Sequence, residues 1–311
     1  MRRIVSQTGA AGKRVQIEFE GKVVPDAFDV VVWENNGHRE VSARPVIEWT
    51  ELGPIADLSH LFGEPTEEEI EAAKEERRQK NLERNAKRAK TACRRFIKSM
   101  GFDELATLTY RENQEDEELC KQHVAKWVRR MGQLVPGFEY CAGYEPQQRG
   151  AWHAHCAIHK LPKVVKMKKR MPSGEWREVA MEGWRVGTVV WRSIVGDLGG
   201  LCFIGGKGRG RGVVASLAKL AGYVSKYITK HYELVPEGKQ RWTHSRGCTV
   251  PKATRLRFTG LTLVELIQKC FWQDPGEVVV QHRVGHFGDS WYLCTEPALP
   301  GGAKVVGEDV A

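Results

Sequence analysis

Two short stretches of the chain carry side chains whose types and spacing suit one reaction. The first is Tyr144-Glu145-Pro146-Gln147-Gln148-Arg149-Gly150-Ala151-Trp152-His153-Ala154-His155. Side chains alternate along a strand, so His153 and His155 point the same way, about 7 Å apart along the chain. Two imidazoles on one face can share a divalent ion if a neighbouring strand supplies a third ligand. Glu145 precedes His153 by eight residues, and a reversal over 146–151 folds it back beside the pair. A carboxylate with two imidazoles leaves positions open for water and phosphate oxygens, as a Lewis-acid site requires. His159 falls on the same strand face, farther out, as a candidate supporting group. A bare His-x-His pair is more often structural; the carboxylate at hairpin distance makes this one a candidate ligand set.

The second stretch is Gly222-Tyr223-Val224-Ser225-Lys226-Tyr227-Ile228-Thr229-Lys230. Tyr223, Lys226, Tyr227 and Lys230 are spaced i, i+3, i+4, i+7, so all four share one helical face. Leu217, Leu220, Val224 and Ile228 supply apolar packing, and Ala218 and Ala221 allow close approach to a sheet. A tyrosine beside a metal and an ammonium group should ionise below its free value of about 10, because both cations favour phenolate. A phenolate can attack a phosphodiester and hold the product covalently. The competing reading is an amphipathic helix with tyrosine hydroxyls at its edge.

These groups need a scaffold, and the surrounding text supplies one. Strand patterns occur at 105–110 (Leu-Ala-Thr-Leu-Thr-Tyr), 138–145, 152–159 and 201–204, with helices expected at 116–132, 188–197 and 213–232. Upstream, strand-like runs at 15–19, 29–33 and 46–49 are separated by Gly, Pro and Asn turns. From Thr66 to Met100 no Pro or Gly interrupts the chain, and Thr66 with Glu69 makes a capping box. Six glutamates crowd the start of that helix, while 77–98 holds ten basic residues against Glu83 alone. This polarity suits the helix dipole and makes a basic rod able to lie along phosphates. Residues 160–170 carry six basic residues and no acid, an exposed loop or hairpin insertion.

The whole chain is 311 residues with 41% hydrophobic content, an ordinary globular share. Its 48 Lys and Arg against 39 Asp and Glu give a formal charge of +9, which favours a polyanionic partner. No apolar run follows Arg2 and Arg3, and no stretch approaches the 18 or so apolar residues of a membrane span. A cytoplasmic protein without membrane association is expected. Eight cysteines are scattered with no Cys-x-x-Cys pair, so free thiols are expected rather than a disulfide framework. The Gly-Arg stretch around Lys207 is not a phosphate-binding P-loop, because Leu201 and Gly208 stand where Gly and Ser/Thr are needed. No nucleotide cofactor is expected.

Taken together, the pieces resemble the HUH endonucleases, specifically rolling-circle replication initiators of single-stranded DNA phages and plasmids. The 105–110 strand is similar to the first family motif and His153-Ala154-His155 to the His-hydrophobic-His motif. Glu145 is similar to the upstream acidic ligand, and Tyr223 to Lys230 to the two-tyrosine motif. The text resembles most the initiators of filamentous phages, over about Thr91 to His231. The resemblance implies an α+β fold: a central antiparallel sheet of about five strands, ferredoxin-like, with helices on one face. It implies Mg2+ or Mn2+ at Glu145, His153 and His155. One tyrosine would attack a single-stranded or supercoiled origin, leaving a 5′-phosphotyrosyl link and a free 3′-OH. Tyr223 is the first choice, with Tyr227 alternating, and Lys226 and Lys230 steadying the phosphate or leaving oxygen. Candidate DNA contacts are Arg94, Arg95, Lys160, Lys163, Lys168, Lys169, Arg170, Lys207, Arg209 and Arg211, with Trp152 or Trp176 stacking on bases. No helicase or ATPase motif follows, so unwinding and synthesis are expected from a host helicase and polymerase.

The expected organisation is a β-rich extension over 1–65, a basic helix over 66–100, a nicking-joining domain over 101–235 and a C-terminal region over 236–311. Rival readings are an HUH relaxase or transposase, a zinc hydrolase using Glu145, His153 and His155, and a non-enzymatic single-stranded nucleic-acid binder.

Overall fold

The computed structural model describes residues 1–8, 14–55, 66–147, 149–205, 216–230, 239–271, 277–286 and 289–298. The elements begin with β1 (Arg2–Thr8), β2 (Arg14–Asn35), β3 (His38–Pro54), α1 (Glu67–Met100), β4 (Glu104–Tyr110) and α2 (Glu117–Leu134). Then come β5 (Tyr140–Pro146), β6 (Trp152–Ile158), β7 (Val164–Arg170), β8 (Trp176–Glu182), α3 (Gly183–Val195) and β9 (Gly200–Ile204). The chain continues with α4 (Leu217–Lys230), β10 (Trp242–His244), β11 (Thr254–Thr259), α5 (Leu263–Phe271), β12 (Glu277–Val284) and β13 (Trp291–Pro297). This is an α+β chain with antiparallel sheets and, among the described residues, five α-helices. None of those helices is long and apolar enough to cross a membrane. The chain divides into two compact units, residues 1–75 with 251–311, and residues 76–250.

In the first unit β2 and β3 form a long hairpin closed by Asn36 and Gly37, both at positive φ. Two consecutive left-handed residues are the geometry that matches a hairpin's twist, and Asn-Gly tolerates it best. Pro25-Asp26, expected as a turn, is instead a bulge inside β2, with Asp26 at φ 51° and a register shift between Val23 and Phe28. A bulge accommodates the proline because its missing N–H falls where the ladder is already interrupted. β13 pairs with β3, and β11 with β2, so strands from both ends of the sequence share one sheet. α5, begun by a Thr262–Glu265 capping box, packs Leu266 and Cys270 with Phe28, Val30, Trp291 and Leu293.

The second unit is built on a five-stranded antiparallel sheet in the order β10-β5-β6-β4-β9. Helices pack on both of its faces, not on one as expected. Every residue of β6 is buried, so its two alternating sets of side chains each need a cover. Ala106, Leu108, Tyr110, Ala154, Cys156 and Ile158 pack with Cys120, Val124, Trp127 and Met131 of α2 and with Val186, Val190 and Trp191 of α3. Cys141 and Ala157 point the other way, against Cys93, Phe96 and Ile97 of α1 and Leu220, Ala221, Val224 and Ile228 of α4. Trp152 lies in the first of these cores and is buried, which removes it from base stacking.

Helix starts follow their caps. Asp116 accepts from the Glu118 and Leu119 N–H groups at α2, and the Thr66–Glu69 capping box opens α1 as its spacing predicts. Ser216 accepts from the Lys219 N–H ahead of α4. α3 begins at Gly183, five residues before the expected Thr188. The basic 160–170 segment is largely the first strand of the β7–β8 hairpin.

Candidate active site

The sheet brings Glu145, His153 and His155 onto one face. Glu145 of β5 stands directly opposite His153 of β6, and Gly143 opposite His155. Thr107 of β4 flanks His155 from the other side. His155 Nε2 lies 3.2 Å from Glu145 Oε2, and its Nδ1 lies 3.3 Å from Thr107 Oγ1. With Nε2–H donating to the carboxylate, Nδ1 accepts from the threonine hydroxyl.

α4 closes over this cluster, and Gly143 is the reason it can. A Cβ on Gly143 would lie 2.7 Å from the Val224 carbonyl oxygen, so only glycine admits the helix at this distance. The approach stacks the Tyr227 ring on His155, with centroids 4.8 Å apart and planes 16° from parallel. Tyr223 meets the same imidazole edge-on at 5.2 Å, and the two tyrosine rings meet edge-on at 5.6 Å. The ammonium of Lys226 lies over both rings, 4.5 Å from Tyr223 and 4.6 Å from Tyr227. Lys230 donates to Glu145 Oε1 at 3.2 Å. The two tyrosines are not equivalent: Tyr223 is 37% exposed and Tyr227 only 7%.

The electrostatics depart from the sequence expectation. Burial raises both phenols: Tyr223 is pushed up to about 12, helped by the neighbouring Tyr227 hydroxyl, against which the Lys226 ammonium works in vain. Tyr227 is also raised by burial, with the Glu145 carboxylate adding to the shift. The protein's own charges therefore keep both tyrosines as phenols at neutral pH, because removing water costs the phenolate more than the lysine returns. Burial also acts on Glu145, but hydrogen bonds from His155 and Lys230 outweigh it and hold the carboxyl below its usual range. His153 is lowered to about 4 by burial, then by His155 and Arg149, so it is neutral at neutral pH.

Among the described residues, no group of three or more His, Cys, Asp or Glu side chains stands at metal-ligand spacing; Glu145 and His155 bond to each other instead. The donor chemistry of the set still fits a divalent ion. His153 Nε2 is buried and makes no hydrogen bond, its imidazole is neutral, and it faces the site from directly opposite a carboxylate. A buried, unsatisfied ring nitrogen calls for a partner.

The site opens into a groove of about 1030 Å³ whose lining includes His153, His155, Tyr223, Thr107 and Thr109. Tyr227 is not among its lining residues. Of the expected DNA contacts, none that is described lines this groove. Lys160, Lys163, Lys168 and Arg170 are exposed on and beside the β7–β8 hairpin, whose strand also includes Lys169. Arg94 and Arg95 are partly buried on α1. Lys207, Arg209 and Arg211 lie outside the described residues. His159 follows the far end of β6, where it approaches Glu139 and Phe102 rather than the site. The groove residues Trp184, Arg185, Arg192 and Phe203 escaped the sequence reading, although the Trp184-Arg185 pair was a visible cation-aromatic signal.

The arrangement is that of an α+β domain presenting a carboxylate, two imidazoles and a lysine-flanked tyrosine pair on one sheet face. Residues 103–232 match the model of a family described as replication-associated protein, of the ORF2 type. That match fits a rolling-circle replication initiator, and the matched stretch includes Glu145, His153, His155, Tyr223, Lys226, Tyr227 and Lys230. No match was found among curated proteins or solved structures.

Proposed function

We propose that the chain initiates rolling-circle replication by nicking and rejoining single-stranded origin DNA through tyrosine transesterification. The observation that carries this reading is that a half-exposed tyrosine and two histidines line the same groove, inside the stretch matched by a replication-associated family. Tyr223 is the phenol that faces incoming DNA. Its oxygen attacks the scissile phosphorus; the phosphotyrosyl bond forms, the P–O3′ bond breaks, and the electron pair goes to the 3′ oxygen. The phenol proton leaves to solvent in the groove, and the 3′ oxygen takes up a proton to become the 3′-OH. Reversal of the same step rejoins the strand.

Glu145, His153 and His155 would hold Mg2+ or Mn2+, which when bound polarises the phosphate as a Lewis acid. Lys226, over both rings, steadies negative charge beside the phenol oxygens. Lys230 neutralises Glu145 and is the cation positioned to move toward the phosphate when that carboxylate takes another partner. Tyr227 acts second, because it must first leave the His155 ring. The exposed hairpin lysines and arginines add a sequence-independent hold on the DNA backbone. Unwinding and extension of the 3′-OH fall to a host helicase and polymerase.

The test is incubation with single-stranded origin oligonucleotides and Mn2+, with and without EDTA, resolved on a denaturing gel. A metal-dependent protein–DNA adduct, kept in Tyr227→Phe and lost in Tyr223→Phe, is the expected result. Binding without an adduct on any candidate origin would sink the enzyme reading and leave a nucleic-acid binding module.

A further inference from the structure

Tyr223 and the two histidines account for one part of the groove. The rest extends over the open side of β4 and β9 and along α3, and no step of the chemistry above uses it. Its composition is specific. Trp184 and Phe203 contribute aromatic rings that are 53% and 54% exposed, and Leu201 adds a third apolar surface. Arg185 and Arg192, both exposed, bring guanidinium groups from α3. No Asp or Glu lines the groove.

Each arginine is anchored without being used up. Arg192 Nε donates to the Gly200 carbonyl at 3.1 Å, which ties the side chain to the start of β9. Its two terminal nitrogens have no protein partner among the described residues. The Arg185 guanidinium lies 5.3 Å from the Trp184 ring centroid, and its closest acid, Glu182, is at 3.7 Å on the exposed surface. Thr188 is already satisfied by the Cys202 carbonyl, so the aromatic and cationic groups are the ones left to bind.

Large exposed aromatics are costly to leave in water unless a ligand covers them. A duplex would bring its bases already stacked and would leave both rings uncovered. A compact small molecule would fill only part of a groove at the upper end of the pocket sizes that enclose such ligands, about 1,000 Å³. Aromatic rings alternating with cations, with no acid nearby, match unpaired bases on a phosphate backbone.

We propose that this groove is the track for the nucleotides next to the scissile phosphate, with bases stacked on Trp184 and Phe203 and phosphates met by Arg185 and Arg192. The proposal rests on the nicking reading for the identity of the strand, and the experiment separates the two. Binding of a fluorescent single-stranded oligonucleotide is measured by anisotropy in EDTA, where no nicking is needed, against salt concentration. The variants are Trp184→Ala, Phe203→Ala, Arg185→Ala and Arg192→Ala, with Trp176→Ala on the β7–β8 hairpin as the competing aromatic.

All five side chains are exposed, so the fold should survive each change, and circular dichroism confirms that it does. The expected result is an affinity loss of about tenfold or more for each groove aromatic. Each groove arginine should lower the slope of log affinity against log salt by about 0.7. Duplex of the same sequence should be insensitive to the two aromatic changes. Wild-type affinity in both aromatic variants, or a loss confined to Trp176→Ala, would overturn the track. An adduct that still forms normally in those variants would leave the nicking reading standing alone. Loss of binding in a protein that never forms an adduct would leave the track standing without the nicking.

Discussion

The two faces of the five-stranded sheet are made by the same strands and serve opposite ends. On one face Ala106, Leu108, Tyr110, Ala154, Cys156 and Ile158 meet α2 and α3 in a closed apolar core. On the other, the alternate positions of the same strands carry Thr107, Thr109, Glu145, His153 and His155, and α4 leaves part of that face open as the groove. The contrast teaches how a small domain holds polar, partly desolvated groups without coming apart. One face supplies the burial that stabilises the sheet, and the pleat makes every second side chain available for chemistry. The packed face even absorbs a histidine: His123 is buried with its Nδ1 3.1 Å from the Tyr110 hydroxyl.

The largest expected effect lies on the open face. Tyr223→Phe should abolish the covalent DNA adduct while leaving the unfolding transition near that of the wild type, since Tyr223 is partly exposed. Tyr227→Phe should keep the first cut within a few-fold, because phenylalanine preserves the ring stacked on His155. An adduct that persists in Tyr223→Phe and vanishes in Tyr227→Phe would reverse the assignment of the two phenols.

On the packed face the effect moves from chemistry to stability. Leu108, fully buried, should cost about 2–5 kcal/mol on truncation to alanine, read from urea unfolding. Gly143→Ala tests the seam between helix and sheet. With the Val224 oxygen 2.7 Å from the new Cβ, α4 must shift, at about 1–3 kcal/mol. That variant should also weaken adduct formation, since both tyrosines ride on the helix. Unchanged stability and unchanged adduct would show that α4 is not held where Gly143 places it.

The smallest effect is a pH dependence on the packed side. Burial, then the Lys126 charge, lowers the His123 pKa below its ordinary value. The unfolded chain then binds the proton more readily, so this contribution to stability is complete above about pH 6.5 and is lost as pH falls below it. The urea midpoint should drop between pH 7 and pH 5, and His123→Gln should flatten that drop. An identical pH slope in the variant would place the titration elsewhere.

Much of the scaffold was readable because its signals are local. The capping box at Thr66 and Glu69, the apolar stripe of α2 and the strand pattern of β4 and β6 all depend on residues within one or two turns of each other. α5 carried the same capping signal in Thr262 and Glu265, which the sequence reading passed over. The bulge at Asp26 and the pairing of β13 with β3 were not readable. Register between strands about 250 residues apart is chosen by packing, not by propensity. The ionisation of the tyrosines was misjudged for a related reason. Sequence spacing showed the lysines beside the phenols but not the burial that outweighs them.

By itself the sequence determined which residues share a face. The alternation of β6 put His153 with His155, the helical period put Tyr223 with Lys226, Tyr227 and Lys230, and the short reversal at 146–151 returned Glu145 to the pair. Those are consequences of backbone geometry that no tertiary contact is needed to establish. Only the tertiary structure decided that Tyr227 stacks under the helix while Tyr223 meets the groove, and that Trp184, Arg185, Arg192 and Phe203 gather beside it. Those facts depend on how closely α4 and α3 approach the sheet, and that distance is set by atoms such as the missing Cβ of Gly143, far away in sequence from what they hold in place.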